Sequence, residues 1–341
     1  MTIELRPLRR DDLVRVAEIF ASAFAAAGHT VVTTAEELDE ELQPPFCSID
    51  RDAMVAVDNG RTVGAVYTYY LPANEREVRC YVEGKVDPAA RGLGAGWALL
   101  DWGIAHAENL LTNDLLTNDM ANPGVLPRVV RVSVPDPDVP DANVPDVANV
   151  PDVTDTLAAM LGRRGLSPVR WFSTLLRSLD DLAPVRVPDG IDVVAWDPSR
   201  SDEALTVSNV AFADHWGSAP MHPEGWAQRT TGFGAHPATS LMALERGTVV
   251  GFLTSHRYDV DDEALGMKVG WVNHLGTLAS HRRRGVASAL VATALASYRD
   301  LGWTHAAIDV DDDNPTGARG LYASLGFSPW RGSVTWEKCL K

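Results

Sequence analysis

The sequence predicts an α+β fold built from two tandem halves, each a mixed sheet flanked by helices. Three observations predict it. First, landmarks recur in the same order along the chain. Gly60 and Gly247, and likewise Gly64 and Gly251, stand 187 residues apart. The strand-like openings Ile3–Leu5 and Ile191–Val194 are 188 apart, and two R-x-x-G-x-(G/A) signatures, Arg91–Gly96 and Arg282–Ala287, are 191 apart. Colinear offsets this close mark an internal duplication. Second, strand-like and helical patterns mix without strict strand–helix alternation, which favours a mixed sheet over a doubly wound one. Third, 341 residues suffice for two hydrophobic cores of ordinary size.

Each element follows from a local pattern. Val55–Val57, the turn Asp58-Asn59-Gly60 and Thr62–Gly64 read as a hairpin, and Leu241–Leu244, Glu245-Arg246-Gly247 and Val249–Gly251 repeat it. After the glycine signatures come apolar stripes at helical spacing: Leu100, Ile104, Ala107 and Leu111 in the first half, Leu290, Val291, Leu295 and Tyr298 in the second. Val130, Val132 and Val134 alternate as a strand. Each half is expected to close with a helix and a final hairpin. Pro184, Pro188 and Gly190 break the stretch 182–190, which reads as the linker, so the expected domains are 1–181 and 182–341.

The first half is longer. Arg282 to Gly326 spans 44 positions and Arg91 to Gly165 spans 74, an excess of about 30. The surplus is repetitive: Leu110–Asp114 is repeated as Leu115–Asp119, and Val-Pro-Asp recurs from Val134, Val139, Val144 and Val150. So much Pro and Asp suits neither helix nor central strand, and an exposed low-complexity insert at about 110–153 is expected.

Composition narrows the function. A formal charge of −16 argues against nucleic-acid binding, which needs a cationic face. Acidity serves solubility and is compatible with a cationic amine substrate. Three scattered cysteines, Cys47, Cys80 and Cys339, fit free buried thiols better than a disulfide frame or a metal site, and no metal-binding spacing occurs. Met1–Arg10 has no apolar signal core, and no apolar run reaches membrane-span length. The expectation is a cytoplasmic monomer without metal, membrane or nucleic-acid partners.

The two signatures sit where a loop enters a helix. Such a loop leaves several backbone N–H groups free and adds the positive end of the helix dipole, a natural seat for pyrophosphate. Arg282, Arg283 and Arg284 add cationic reach. A dinucleotide fold would want G-x-G-x-x-G and a triphosphate loop a terminal G-K-[ST]; neither loop has them. A plain helix start is the alternative for either loop alone, and repetition at matching places argues against it. Only the second signature is followed by Asn314, Leu321-Tyr322 and Gly326-Phe327; the first meets Leu161 and Gly165-Leu166.

The order of elements, both loops and the tail from Asn314 to Phe327 resemble the GCN5-related N-acetyltransferase (GNAT) superfamily. The tandem arrangement is similar to mycothiol-synthase-like actinobacterial double-domain members. The resemblance covers nearly the whole chain, more strongly in the second half. It implies a splayed sheet whose opening takes acetyl-CoA. Cofactor-binding positions would be Leu275, Thr277 and Leu278 on the strand, Arg282, Arg283, Arg284, Gly285, Val286 and Ala287 in the loop, and Asn314. Arg91, Gly92, Gly94 and Gly96 would be their counterparts in the first half. Tyr322 takes the position of the family's general acid; a phenol of pKa about 10 can protonate a leaving thiolate whose thiol has pKa about 8.5. Leu161 has no proton to give, so the first half is expected to be non-catalytic.

The base is open. Many family members carry a Glu eleven residues before the first motif position; here that place holds Trp271, and Cys80 in the first half. His274 and Asn273 are the candidates nearby. Strand alternation puts Trp271 and Asn273 on one face and His274 on the other unless a bulge re-aims it. A backbone N–H of Thr277 or Leu278 would stabilise the thioester oxygen. Asp214, His215 and Trp216, with Trp271, are expected around the acceptor, where acid and indole suit an amine. Transfer of acetyl to a small-molecule primary amine is the leading reading. Mycothiol-synthase-type or peptide acetylation and a non-catalytic acyl-CoA sensor are the alternatives.

Overall fold

The computed structural model describes residues 3–27, 29–43, 46–71, 77–113, 126–136, 139, 153–218, 220–314 and 317–340. Most of the expected insert, including the second Leu-Leu-Thr-Asn-Asp copy and the Val-Pro-Asp copies at Val144 and Val150, lies outside the described residues. The chain forms two compact units, Met1–Trp171 with Gly332–Lys341, and Phe172–Arg331.

The first unit contains β1 (Glu4–Pro7), α1 (Leu13–Ala26), α2 (Ala35–Glu41), α3 (Ile49–Asp52), β2 (Ala53–Asp58), β3 (Arg61–Leu71), β4 (Val78–Val86), α4 (Ala95–Asn113), β5 (Arg128–Pro135) and α5 (Val153–Gly162). Strands β1 to β4 pair antiparallel in sequence order, and β4 then runs parallel to β5. The helical stripe of α4 does what its spacing implies: Leu99, Leu100, Ile104, Ala107 and Leu111 are buried against Val66, Val82, Val130 and Val132. Leu13, Val16 and Phe20 of α1 cover the other face with Val55, Ala65 and Tyr67.

The second unit repeats this plan with β7 (Ile191–Ala195), α6 (Ser201–Ala211), α7 (Pro223–Thr231), β8 (Leu241–Glu245), β9 (Thr248–Arg257), α8 (Asp262–Leu265), β10 (Val269–Thr277), α9 (Val286–Asp300), β11 (His305–Asp311) and α10 (Ala318–Ser324). Strands β7 to β10 pair antiparallel and β10 runs parallel to β11. Leu290, Val291, Leu295 and Tyr298 of α9 are buried on one face. Val207 of α6 and Trp226 of α7 pack on Met242 and Phe252 on the other.

The closing elements differ from expectation. Each half ends in one long strand, β6 (Ser167–Ser178) or β12 (Ser328–Leu340), where a hairpin was expected. Each strand also completes the unit of the other half. Ser333–Leu340 of β12 pair antiparallel with β5, and Phe172–Ser178 of β6 pair antiparallel with β11. The compact units therefore change over within β6 and β12, whereas the domains expected from sequence met at 181/182. The stretch 182–190 is coil, as its breakers imply. Cys47 and Cys80 are free and buried; Cys339, expected to be buried, is exposed. No helix among the described residues is long and apolar enough to cross a membrane.

Candidate functional site

The second unit opens where β10 and β11 part. Their parallel pairing covers only Val269, Gly270 and Trp271, opposite His305, Ala306 and Ala307. Beyond Trp271, β10 keeps its antiparallel neighbour β9 down to Thr277↔Gly251. The N–H of Leu278 donates to the Val250 carbonyl at 3.0 Å. That contact fixes the parity: N–H groups alternate sides along a ladder, so those of Leu275 and Thr277 turn away from β9, toward the side β11 has left. Leu278, expected as an oxyanion donor, is thus already engaged by backbone. The Thr277 Oγ1 is buried without a hydrogen-bond partner among the described residues.

The chain then enters α9 through the glycine loop. Gly285, at φ +84°, caps α9, and Arg283 is also left-handed at φ +60°. A left-handed backbone is cheap for Gly285 and strained for Arg283. The first loop has the same two left-handed positions, Gly92 (φ +81°) and Gly94 (φ +91°), and Arg91 and Arg282 share φ −64° and ψ 152°. The first intrahelical bond of α9 runs from Ala289 N–H to the Gly285 carbonyl, 2.9 Å. The N–H groups of Val286, Ala287 and Ser288 precede it and point out of the helix start, the arrangement that takes an anion.

The three arginines have different tasks. Arg282, expected to reach a phosphate, instead donates to the Ala211 carbonyl at 2.8 Å and the Thr277 carbonyl at 3.4 Å, tying the end of α6 to the end of β10. Arg284 pairs with Glu245 at 2.6 Å, and His281 holds the other oxygen of the same carboxylate at 3.1 Å. Hydrogen bonds from Arg284, foremost, and from His281 hold Glu245 below its usual range. Arg283 is exposed and has no ion pair among the described residues. It is the loop guanidinium still available to an anion.

A β-bulge lies between Val272 and His274, with Asn273 as the extra residue. Before the bulge, Gly270 faces Tyr298 and Trp303 on the α9 side. After it, His274 faces α6, so the bulge brings His274 to the face of Trp271. His274 stacks on Phe212 with centroids 4.2 Å apart, and its Nε2 meets the Ser208 hydroxyl at 3.0 Å. Burial, with Arg229 and His215 adding smaller effects, holds its pKa well below the usual histidine range, so the ring is neutral at pH 7. Asn273 is exposed, and its Oδ1 accepts from Arg229 at 3.2 Å. Trp271 lies near Trp330, at 6.3 Å, with the Arg331 guanidinium over its ring at 5.6 Å.

Tyr322 projects from α10 into the hydrophobic cluster that holds Leu275, Leu278 and Val286. It is buried, edge-on to Phe327 at 5.9 Å, and its hydroxyl has no hydrogen-bond partner among the described residues. Burial raises its pKa, so the phenol keeps its proton. Asn314 forms the turn after β11, its N–H donating to Asp311 at 3.1 Å. Asp214 is exposed after α6; His215 packs on Phe212 at 4.6 Å and Trp216 near Phe172 at 6.2 Å. Phe212, which bridges His215 and His274, and Ser208 and Arg229 were not singled out from sequence. Ser208 and Phe212 stand one helical turn apart, the only trace the sequence offers of them.

The first unit retains the loop but not the rest. Leu161 is fully buried in the place of Tyr322. Strand β4 pairs with β3 from Gly64↔Val86 to Leu71↔Arg79 without a bulge, and Glu83 stands at the register position of His274. Groups of acids, histidines or cysteines able to hold a metal do not occur among the described residues.

Residues 202–327 match the family described as Acetyltransferase (GNAT). The chain is similar to the mycothiol acetyltransferase of Thermobispora bispora, 30% identical over 178 residues, 51% of this chain and 59% of that protein. It is also similar to the mycothiol acetyltransferase of Tsukamurella paurometabola, 32% identical over 180 residues, covering 50% and 60%. The chain thus spans only 59% and 60% of the length of these curated relatives. Among solved structures it is similar to a GCN5-related N-acetyltransferase from Sphaerobacter thermophilus, with TM-score 0.73, 22% identity, and coverage of 99% of this chain and 95% of that one. A tandem GNAT protein from the clavulanic acid biosynthesis pathway gives TM-score 0.69, 18% identity, and coverage of 99% and 98%. At such identities the likeness is one of fold, and it spans both units. The glycine loop, the parted strands and Tyr322 all fall inside the segment that matches the Acetyltransferase (GNAT) family, and the whole chain has the tandem-GNAT α+β fold.

Proposed function

We propose that the chain transfers an acetyl group from acetyl-CoA to the primary amine of a small molecule, by direct attack in a ternary complex within the second unit. One observation carries the reading: the unengaged Tyr322 hydroxyl shares a hydrophobic cluster with the strand end and the start of α9. Acetyl-CoA, when bound, supplies an acetyl group activated as a thioester. The N–H groups of Val286, Ala287 and Ser288 and the guanidinium of Arg283 suit its pyrophosphate. The N–H groups of Leu275 and Thr277 suit its pantetheine amide and the thioester oxygen as charge develops there. Tyr322, kept protonated by burial, gives its proton to the departing sulfur.

The amine must attack in its neutral form. His274 is committed to Ser208 and to the Phe212 stack, and we assign it to packing. Asn273, exposed on the bulge, is better placed to orient a water that takes the amine's proton. Asp214, His215 and Trp216 line the approach and favour a cationic acceptor before it loses that proton. The first unit, with Leu161 for Tyr322 and no bulge, is assigned no turnover.

The mycothiol acetyltransferases at 30% and 32% identity favour a second reading, a mycothiol-synthase-type acetyl transfer. Trp271 in place of a strand carboxylate weighs against it. A panel of amines assayed by thiol release from acetyl-CoA tests both readings. Release with one class of amine supports the proposal and names the class. Acetyl-CoA binding without release from any amine would leave an acyl-CoA sensor in its place.

A further inference from the structure

The bulge at Asn273 turns the end of β10, and one buried side chain is in position to hold it. Tyr298 lies on the inner face of α9, fully buried. Its hydroxyl donates to the carbonyl of Trp271 at 3.1 Å, at the last β10 residue registered with β11. The same oxygen lies 2.6 Å from the hydroxyl of Ser255, itself buried and paired with Val272, the residue before the bulge. The Ser255 hydroxyl also lies 3.0 Å from the Thr239 carbonyl, so its one hydrogen is shared between that carbonyl and the Tyr298 oxygen, while Tyr298 donates to Trp271. The relay spans from β9 to β10 across the point where β10 loses its parallel neighbour.

The duplication supplies an internal control. Tyr298 corresponds to Ala107 by the 191-residue offset of the loops, and Ser255 to Thr68 by the 187-residue offset of the hairpins. Thr68 turns its hydroxyl to the Asp52 carbonyl, and Ala107 has none to offer. That unit has no bulge: Thr68 pairs with Val82 in an uninterrupted register. Relay and bulge are present together in one unit and absent together in the other.

Resting on the proposed activity, we propose that Tyr298 is a positioning residue for acetyl transfer, with Ser255 as its support. By holding the Trp271 peptide it fixes the bulge, and so aims Asn273 and the N–H groups of Leu275 and Thr277. It touches neither substrate. A misplacement of the order of 1 Å in such groups costs about 100-fold in rate when geometry is limiting.

The test compares the full chain with its Tyr298→Phe and Ser255→Ala variants. Turnover is measured with the best amine of the panel, and backbone hydrogen exchange is followed across the molecule. In Tyr298→Phe, kcat should fall about 10–100-fold, with KM for acetyl-CoA within about twofold. Exchange should quicken across 272–277 and stay unchanged in β4 and β8. Ser255→Ala should move both readouts the same way by less, and it decides the matter if Tyr298→Phe does not fold. Wild-type exchange at 272–277, or a loosening spread evenly over the second unit, would overturn the proposal. If the wild-type chain turns over no amine, the activity reading fails, and the exchange pattern alone still decides whether Tyr298 holds the bulge.

Discussion

Leu161 and Tyr322 occupy the same corner of their two units. The Leu161 carbonyl accepts from the N–H of Leu166 at 3.2 Å, and the Tyr322 carbonyl accepts from Phe327 at 3.0 Å. Left-handed glycines, Gly165 at φ +79° and Gly326 at φ +84°, make both turns possible. One backbone scaffold thus presents a hydrocarbon in one unit and a phenol in the other.

Replacing Tyr322 with Phe keeps the ring and its edge contact with Phe327. We expect kcat to fall about 100-fold while acetyl-CoA affinity holds within about twofold. Because burial raises the phenol's pKa, Tyr322 remains protonated throughout the ordinary assay range, and it will not account for an alkaline limb in the pH–rate profile. Unchanged turnover in Tyr322→Phe, measured by thiol release, would remove it as the acid.

Arg283 combines a strained backbone with an uncommitted charge. Its counterpart, Gly92, shows what the backbone prefers. Arg283→Gly should therefore stabilise the second unit by about 0.5–1 kcal/mol while raising KM for acetyl-CoA several-fold. Denaturation and steady-state kinetics on the same sample should move in opposite senses. A KM equal to wild type would mean that the guanidinium does not serve the pyrophosphate.

Glu41 sets a pH dependence in the first unit. Burial and the nearby Glu83 raise its pKa to about 7, and it accepts a hydrogen bond from Tyr67 at 3.0 Å. A carboxyl whose folded pKa is raised contributes stability that is full below its unfolded value and fades as pH rises through about 7. Glu41→Gln should flatten this loss between pH 5 and 8, read as the pH slope of urea midpoints. A slope identical to wild type would show that Glu41 ionises freely.

The strand that ends the chain is held by charge as well as by its ladder. Arg131, 1% exposed, pairs with Glu77 and, across the β5–β12 ladder, with Glu337, each at 2.8 Å. Arg131→Met would leave two partly buried carboxylates facing each other, at a cost of about 3 kcal/mol. Hydrogen exchange should rise in β4, β5 and β12 and stay level in β9 and β10. Equal loosening of both units would contradict the pairing.

Much of this was legible in the sequence. The duplication, the two loops and the place of Leu161 came from spacing, because repeats keep their registers. The stripes of α4 and α9 came from periodicity. What escaped depended on partners distant in sequence. Arg282 and Arg284 look like a cationic cluster until Ala211 and Glu245 are brought beside them. The bulge at Asn273 was left open, since alternation describes a regular strand and cannot locate an extra residue. The exchanged strands were invisible for a related reason: the pairs that seat them, Arg131 with Glu337 and Thr174 with Asp309, join residues 206 and 135 positions apart.

That exchange binds the histories of the two halves. A duplicated domain that completes its own sheet can ordinarily be removed without loss to its neighbour. Here residues 172–178, from the end of the first half, form the strand beside β11 in the half that holds Tyr322. Deleting the first half as far as residue 178 would therefore also take a strand from the sheet of the second unit.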